Sequence, residues 1–347
     1  MRALTIDAHG GLDQLRVRHD LPMPDVVADD DVRIRVHAAA LNHLDLWVVE
    51  GVPGIRITPA WILGSDCAGV VDAVGARVTN VRVGDRVVLN PGVSDRTCDY
   101  CRTGDNPLCL RYAILGEHRP GVLADFVVVP AANVHIITAH VSFTIAAAFP
   151  LATLTAWRMV VTRARVTASD QVLIRGIGGG VALASMQIAK SLGARVWVTS
   201  GSDEKLERAR ELGADETLNH HTLDVAREVR GRTGKRGVDV VIDCVGQATW
   251  GSSLGSLGKR GRLVTCGGTS GPLLETDVRK LFWNQWTIMG STMGSDDEFA
   301  RIVDELRAGR LYPPVDSTFP LTEGRRAFER LRSGQQFGKV VITVAGS

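Results

Sequence analysis

One segment constrains this chain more than any other: QVLIRGIGGGVALASMQIAKSLG, residues 171–193. QVLIRG (Gln171–Gly176) reads as a strand of the buried kind. Glycines follow, and a helix-period stretch then runs to Leu192, where Gly193 stops it. RGIGGGVA (Arg175–Ala182) therefore lies where a strand hands over to a helix. Glycines there let the backbone approach a pyrophosphate, whose charge the free N–H groups and dipole of the helix N-terminus stabilise. A strict G-x-G-x-x-G is absent, since Ala182, the tolerated variant, holds the last position. The rhythm continues with a strand at RVWVT (Arg195–Thr199), a charged helix at EKLERAREL (Glu204–Leu212), and strands at VDVVIDCV (Val238–Val245) and GRLVTC (Gly261–Cys266). Strands alternating with helices predict βαβ units and a doubly wound parallel sheet, an α/β fold. That context turns a weak glycine signal into a dinucleotide site, with Gly176, Gly178, Gly179, Gly180 and Val181 at the phosphates.

The tip of the second strand reports which dinucleotide binds. An acidic residue about twenty positions past the glycines would accept from a ribose 2′-OH. Here the chain reads Thr199-Ser200-Gly201-Ser202, with Lys205 following. Small hydroxyls and a nearby cation, with no carboxylate at the tip, favour NADPH. NADH remains possible if Lys205 is simply a solvated helix residue.

The N-terminal part has a different character. VRIRV (Val32–Val36) alternates at period two, and AGVVDAV (Ala68–Val74) and DRVVL (Asp85–Leu89) are short β-type runs flanked by glycines at 69, 75 and 84. The last fifty residues carry helices near Asp296–Ala308 and Thr322–Arg332 and end in the strand KVVITV (Lys339–Val344), which can return to the first domain. A length of 347 residues suits two domains. Residues 141–161 approach membrane-span length, but Pro150, Arg158 and several hydroxyl residues make them buried core. Forty basic against thirty-eight acidic residues, only six of them Lys, argue against a nucleic-acid partner. The N-terminus MRALTIDAHGG lacks a secretory pattern, so the expectation is a cytoplasmic protein with no membrane partner.

Three of the six cysteines sit within twelve residues, giving Asp95-x2-Cys98-x2-Cys101-x7-Cys109 on a Gly/Pro/Asp-rich loop. Zinc takes four tetrahedral N, O or S⁻ ligands in closed structural sites. Three thiolates and one carboxylate carry the formal charge of four thiolates, so one structural zinc on Asp95, Cys98, Cys101 and Cys109 is expected. The competing reading is a set of free thiols.

In combination these segments resemble the medium-chain dehydrogenase/reductase superfamily, the zinc alcohol dehydrogenases and quinone oxidoreductases. The resemblance rests on ALNHLDLW (Ala40–Trp47), LGSDCAGVVDAVG (Leu63–Gly75), VGDRV (Val83–Val87), the cysteine lobe, LTAW (Leu154–Trp157), GIGGGVA, LGADE (Leu212–Glu216) and GKVV (Gly338–Val341). It implies a GroES-like β-rich catalytic domain over residues 1–151, with the zinc lobe at about 90–112. A Rossmann domain over 152–291 follows, then a return to the catalytic domain over 292–347. The active site is expected in the cleft, and the assembly is expected to be a homodimer or homotetramer. The resemblance also places Thr155 near the nicotinamide, and Cys266, Gly267, Gly268 and Ser291 beside the ring and carboxamide. His220 falls where NADPH-preferring relatives often carry a Tyr.

Carried across residue by residue, the catalytic zinc ligands of the alcohol dehydrogenases fall on Asn42, Ser65 and Leu151. The neighbouring Glu falls on Asp66, and the proton-relaying hydroxyl falls on Leu44. Asn42 and Asp45 instead match the N-x-x-D of the zinc-free quinone oxidoreductases, whose next Tyr is here Trp47. Asn42 is the candidate hydrogen-bond donor to a substrate oxygen or the cofactor. His43 and His118 are candidate proton donors because imidazole titrates near neutrality. The implied activity is NADPH-dependent hydride transfer to a quinone, enone or related carbonyl compound without catalytic zinc. The alternatives are an alcohol dehydrogenase or carbonyl reductase with a relocated metal or none, and a non-catalytic NADPH-binding sensor.

Overall fold

Six strands of the C-terminal half pair, all parallel, in the spatial order Glu216–Asn219, Arg195–Ser200, Gln171–Ile174, Val238–Asp243, Leu257–Thr265 and Thr287–Gly290. In chain order this is 3-2-1-4-5-6, the Rossmann arrangement. The reversal beside the first strand opens a crevice beyond the carboxyl ends of the strands. Val172, Leu173, Ile174, Val240 and Val241 are fully buried, as parallel strands covered on both faces must be. The helices Gly180–Ser191 and Asp203–Glu211 lie where the sequence pattern puts them. Three more, Val225–Arg232, Trp250–Ser256 and Val278–Asn284, were not legible. WGSSLGS, for one, carries two glycines and three serines, poor helix formers that only packing holds in a helix.

The computed structural model describes residues 1–344 and falls into two units, Thr153–Met293 being the one just described. The other joins Met1–Ala152 to the segment beginning at Gly294. Its main sheet runs Val134–Ile136, Arg86–Leu89, Asp66–Val74, Asp31–Ala40, Lys339–Thr343, Val315–Pro320, with Phe126–Pro130 also paired to Asp31–Ala40. Gly69 is required at a close crossing, because a Cβ there would stand 2.1 Å from the carbonyl oxygen of Arg35. Residues 141–161 form buried core, with Ala146, Ala147, Ala148 and Phe149 wholly covered. No helix among the described residues is long and apolar enough to cross a membrane.

The last strand fixes the site. Lys339–Thr343 lies antiparallel to Asp31–Ala40 and parallel to Val315–Pro320. The Leu41 amide donates to the Val340 carbonyl at 2.9 Å. The two ends of the chain thereby bring Asn42 beside Lys339.

Candidate functional site

At Asn42 the strand Asp31–Ala40 gives way to the helix His43–Glu50. The Asp45 carboxylate turns back to accept from the Asn42 backbone N–H at 2.7 Å, satisfying a donor the helix leaves open. The Asn42 side chain completes this capping box and also reaches inward. Its Nδ2 donates to Asp66 Oδ2 at 2.8 Å, and its Oδ1 accepts from Lys339 Nζ at 2.5 Å. Lys339 Nζ also lies 3.3 Å from Asp66 Oδ2, and the second Asp66 oxygen accepts the Leu151 N–H at 2.9 Å. The Lys339 and Asp66 side chains are 4% and 0% exposed. One ammonium, two carboxylates and an amide are thus buried together. Burial pushes the Asp45 carboxyl up to about 7, against the opposing pull of the Asn42 N–H and Lys339. It raises Asp66 as well, with Lys339 and Asn42 pulling it back. Of the two Nδ2 hydrogens of Asn42, one is used on Asp66, leaving one for another acceptor.

The other catalytic candidates lie differently. His43, the first residue of its helix, is exposed, its ring edge-on to Trp47 at 5.2 Å, and partial desolvation of the ring holds its imidazole below the ordinary value. His118 is exposed; its Nδ1 accepts from the Ile114 N–H at 3.2 Å and lies 3.4 Å from Glu117. The turn carrying it packs on Gly64, where a Cβ on Gly121 would come within 2.4 Å of the Gly64 carbonyl. Ser65 is buried and spends its hydroxyl on the Leu115 carbonyl at 2.7 Å.

In the dinucleotide turn, Gly176 (φ 69°) and Gly178 (φ 120°) occupy backbone conformations that disfavour side chains. Gly179 precedes the helix, and Gly180 and Val181 open it. The Ile177 and Gly176 amides bind the Thr199 carbonyl and hydroxyl at 2.7 and 3.2 Å, fastening the turn to the next strand. At that strand's tip, Ser200 Oγ accepts from the Ser202 N–H, and Ser202 Oγ caps the following helix through the Lys205 N–H. The His220 N–H donates to the Ser200 carbonyl at 3.0 Å, which brings His220 to the same tip. Asp203, one residue past the strand-tip segment, is held by Asn219 Nδ2 at 2.7 Å.

Thr155 is buried, with its hydroxyl 3.9 Å from Met293 Sδ. Cys266 follows the fifth strand with its Sγ 3.3 Å from Cys244. Gly267 accepts from the Thr265 hydroxyl at 3.0 Å, and a Cβ on Gly268 would fall 2.8 Å from the Gly271 carbonyl. The Ser291 N–H donates to the Thr265 carbonyl, while its buried hydroxyl has no partner. Two polar residues that sequence reasoning missed are Lys339 and Arg175. The signal for both was a cation in an otherwise apolar strand context, KVVITV and QVLIR.

Asp95, Cys98, Cys101 and Cys109 converge, each offering one ligand atom, with all four atoms within 4.8 Å of one another. Asp95 Oδ1 accepts from the Cys98 and Thr97 amides, which hold this carboxyl well below the usual range and leave Oδ2 for a metal. Cys109 Sγ accepts from the Asp95 and Arg111 amides at 3.3 and 3.4 Å. Cys98 and Cys101 Sγ stand 3.6 Å apart. A zinc tetrahedron with Zn–S bonds of about 2.3 Å has an S···S edge of about 3.8 Å. The donor set therefore fits a closed structural zinc.

Residues 28–139 match the alcohol dehydrogenase GroES-like domain family, and residues 180–308 match the zinc-binding dehydrogenase family. The chain is 31% identical to a zinc-type alcohol dehydrogenase-like protein of Schizosaccharomyces pombe, over 99% of both chains. It is 27% identical to quinone oxidoreductase of Homo sapiens, over 99% of this chain and 97% of that protein. A crystal structure of an NAD-dependent alcohol dehydrogenase superposes with a TM-score of 0.95 at 43% identity, over 99% of this chain and 100% of that one. With that fold and these matches, the chain belongs to the medium-chain dehydrogenase/reductase superfamily. Within it, the chain is an NAD(P)-dependent oxidoreductase.

Proposed function

We propose that this oxidoreductase is an NADPH-dependent reductase of quinones, enones or related conjugated carbonyl compounds, working without a catalytic zinc. The observation that carries this reading is the buried Lys339–Asn42–Asp66 cluster. Zinc needs at least three protein ligands of N, O or S⁻ type. At the corresponding positions, the amide of Asn42 and the carboxylate of Asp66 are bound to each other and to a resident ammonium. Ser65 is spent on a carbonyl, and Leu151 has no ligand atom. The residues do not fit the ion.

Without a Lewis acid, reduction of an isolated ketone loses several kcal/mol of alkoxide stabilisation. A conjugated acceptor delocalises that charge and needs less. Bound NADPH supplies the hydride; the chain's part is to hold the cofactor at the glycine turn and to receive the developing charge. Asn42 does the second, donating its remaining Nδ2 hydrogen to the substrate oxygen. Lys339, by binding Asn42 Oδ1, fixes which way the amide points and strengthens its N–H as a donor. Of the two imidazoles, we take His118, exposed on the turn packed against Gly64, for the final protonation.

Asp95, Cys98, Cys101 and Cys109 would hold one structural zinc that stiffens their lobe. Leu273, Val278, Phe282 and Trp283 are strongly exposed apolar side chains, and Thr287–Gly290 is an edge strand. Both support a homodimer or homotetramer. A second reading, alcohol dehydrogenase or carbonyl reductase, draws on the similarity to the NAD-dependent alcohol dehydrogenase. NADPH oxidation against a panel of quinones, enones, aldehydes and ketones tests the proposal. Turnover concentrated on the conjugated acceptors supports it. Activity confined to simple alcohols and ketones overturns it, and tight NADPH binding with no turnover marks a sensor.

A further inference from the structure

Arg175 is an orphan in the Rossmann unit. It joins the central strand Gln171–Ile174 to the glycine turn and is 4% exposed, yet its Nε and Nη1 are buried with no hydrogen-bond partner. The nearby carboxylate does not relieve it. Asp243 accepts from the Val245 and Gly246 amides and from the Thr249 and Ser253 hydroxyls, which use both its oxygens. Burying a guanidinium with unused donors is costly, so a lasting instance calls for a partner that the chain itself does not provide.

Its position says what that partner is. Arg175 stands at the carboxyl end of the first strand, beside the point where strand order reverses, the place where such sheets bind ligands. Its charge acts on Asp243 at the end of a neighbouring strand and on His220, which lies beyond the end of the strand two places across the sheet. His220 in turn binds the Ser200 carbonyl at the tip where an adenosine ribose is read. A guanidinium with spare donors, in a sheet whose next strand ends in small hydroxyls rather than a carboxylate, matches a phosphate monoester, whose oxygens accept several charge-assisted hydrogen bonds.

We infer that Arg175 is a specificity-determining residue that binds the 2′-phosphate of the cofactor's adenosine half. The inference rests on the NADPH reading and sharpens it: the discriminating cation lies on the first strand of the sheet, before the glycines, rather than only on the helix that carries Lys205.

Calorimetric titration of the full-length, zinc-replete protein with adenosine 2′,5′-bisphosphate and with 5′-AMP tests this apart from turnover. Wild-type protein should bind the bisphosphate more tightly. Arg175→Met should erase most of that preference, a loss of roughly 10- to 100-fold for charged hydrogen bonds, while 5′-AMP affinity changes by less than about threefold. Arg175→Lys should keep part of the preference; it and Arg175→Gln serve as the comparison if the Met variant does not fold. A preference undiminished in Arg175→Met, or equal weakening of both ligands, overturns the role of Arg175 and leaves the NADPH reading standing. No preference in the wild-type protein overturns both.

Discussion

Replacing Lys339 by methionine removes the ammonium from the pocket and leaves its shape nearly filled. Breaking a buried ion pair by removing one partner costs about 3–5 kcal/mol. Asp66 retains the Asn42 amide and the Leu151 N–H, which places the loss near the lower end, about 3 kcal/mol. Asn42 Oδ1 is also left without its donor, adding about 1 kcal/mol. At about 2–4 °C per kcal/mol for a domain of this size, the melting temperature of Lys339→Met should fall by about 8–16 °C.

The deficit has a pH signature. Burial holds Asp66 above the ordinary carboxyl value in the folded protein, so the folded state keeps a proton that the unfolded chain releases. Stability is then lost as pH rises from the unfolded value toward the folded one. Without Lys339 the folded value moves higher still, so the variant should come closest to wild type near pH 4–5 and fall furthest behind near pH 8. Thermal unfolding followed by circular dichroism at both ends of that range measures this, with Lys339→Arg recovering part of the loss. A Lys339→Met protein within 2 °C of wild type at both ends, or one worse in acid, would refute the reasoning (2 °C being about 0.5–1 kcal/mol).

Other outcomes follow from the same geometry. Asn42→Ala should lower kcat on an enone about 100-fold with little change in KM, as losing one donor to a developing oxyanion does; steady-state kinetics separate the two. Asp45, with its carboxyl near 7, destabilises the fold progressively as pH rises from about 4 to 7, and Asp45→Asn should flatten that part of a stability–pH profile. Phe282→Glu with Trp283→Glu should reduce the mass found by light scattering to that of a single chain, while the isolated chain keeps its circular dichroism.

What the sequence revealed tracks how local each signal is. The strand–glycine–helix handover at 171–193 and the alternation after it specify a parallel sheet, since every cue lies within one βαβ unit. The convergence of Asp95, Cys98, Cys101 and Cys109 was legible for the same reason: the four fall within fifteen residues, and the Asp95 and Cys109 geometry is set by amides of the same loop. The polar cluster was legible only in part. Asn42 and Asp45 stand out through their match to an N-x-x-D segment, but Lys339 is 297 positions from Asn42 and reads only as the start of an apolar strand. Only the return of that strand beside Asp31–Ala40 makes it a partner. Asn42 and His43 are adjacent, yet one is buried beside Lys339 and Asp66 and the other stays exposed, a difference that only the packed structure reveals. Arg175 was hidden by its setting, because a cation before a glycine turn draws attention to the backbone and not to its own side chain.

Metal content tests the account most directly, because it separates a chain whose ammonium has taken the place of a reactive ion from one that still keeps that ion. Elemental analysis of the purified protein should find one zinc per chain, and Cys98→Ser with Cys101→Ser should find none. Two zincs per chain, or one that survives loss of the cysteines, would contradict it.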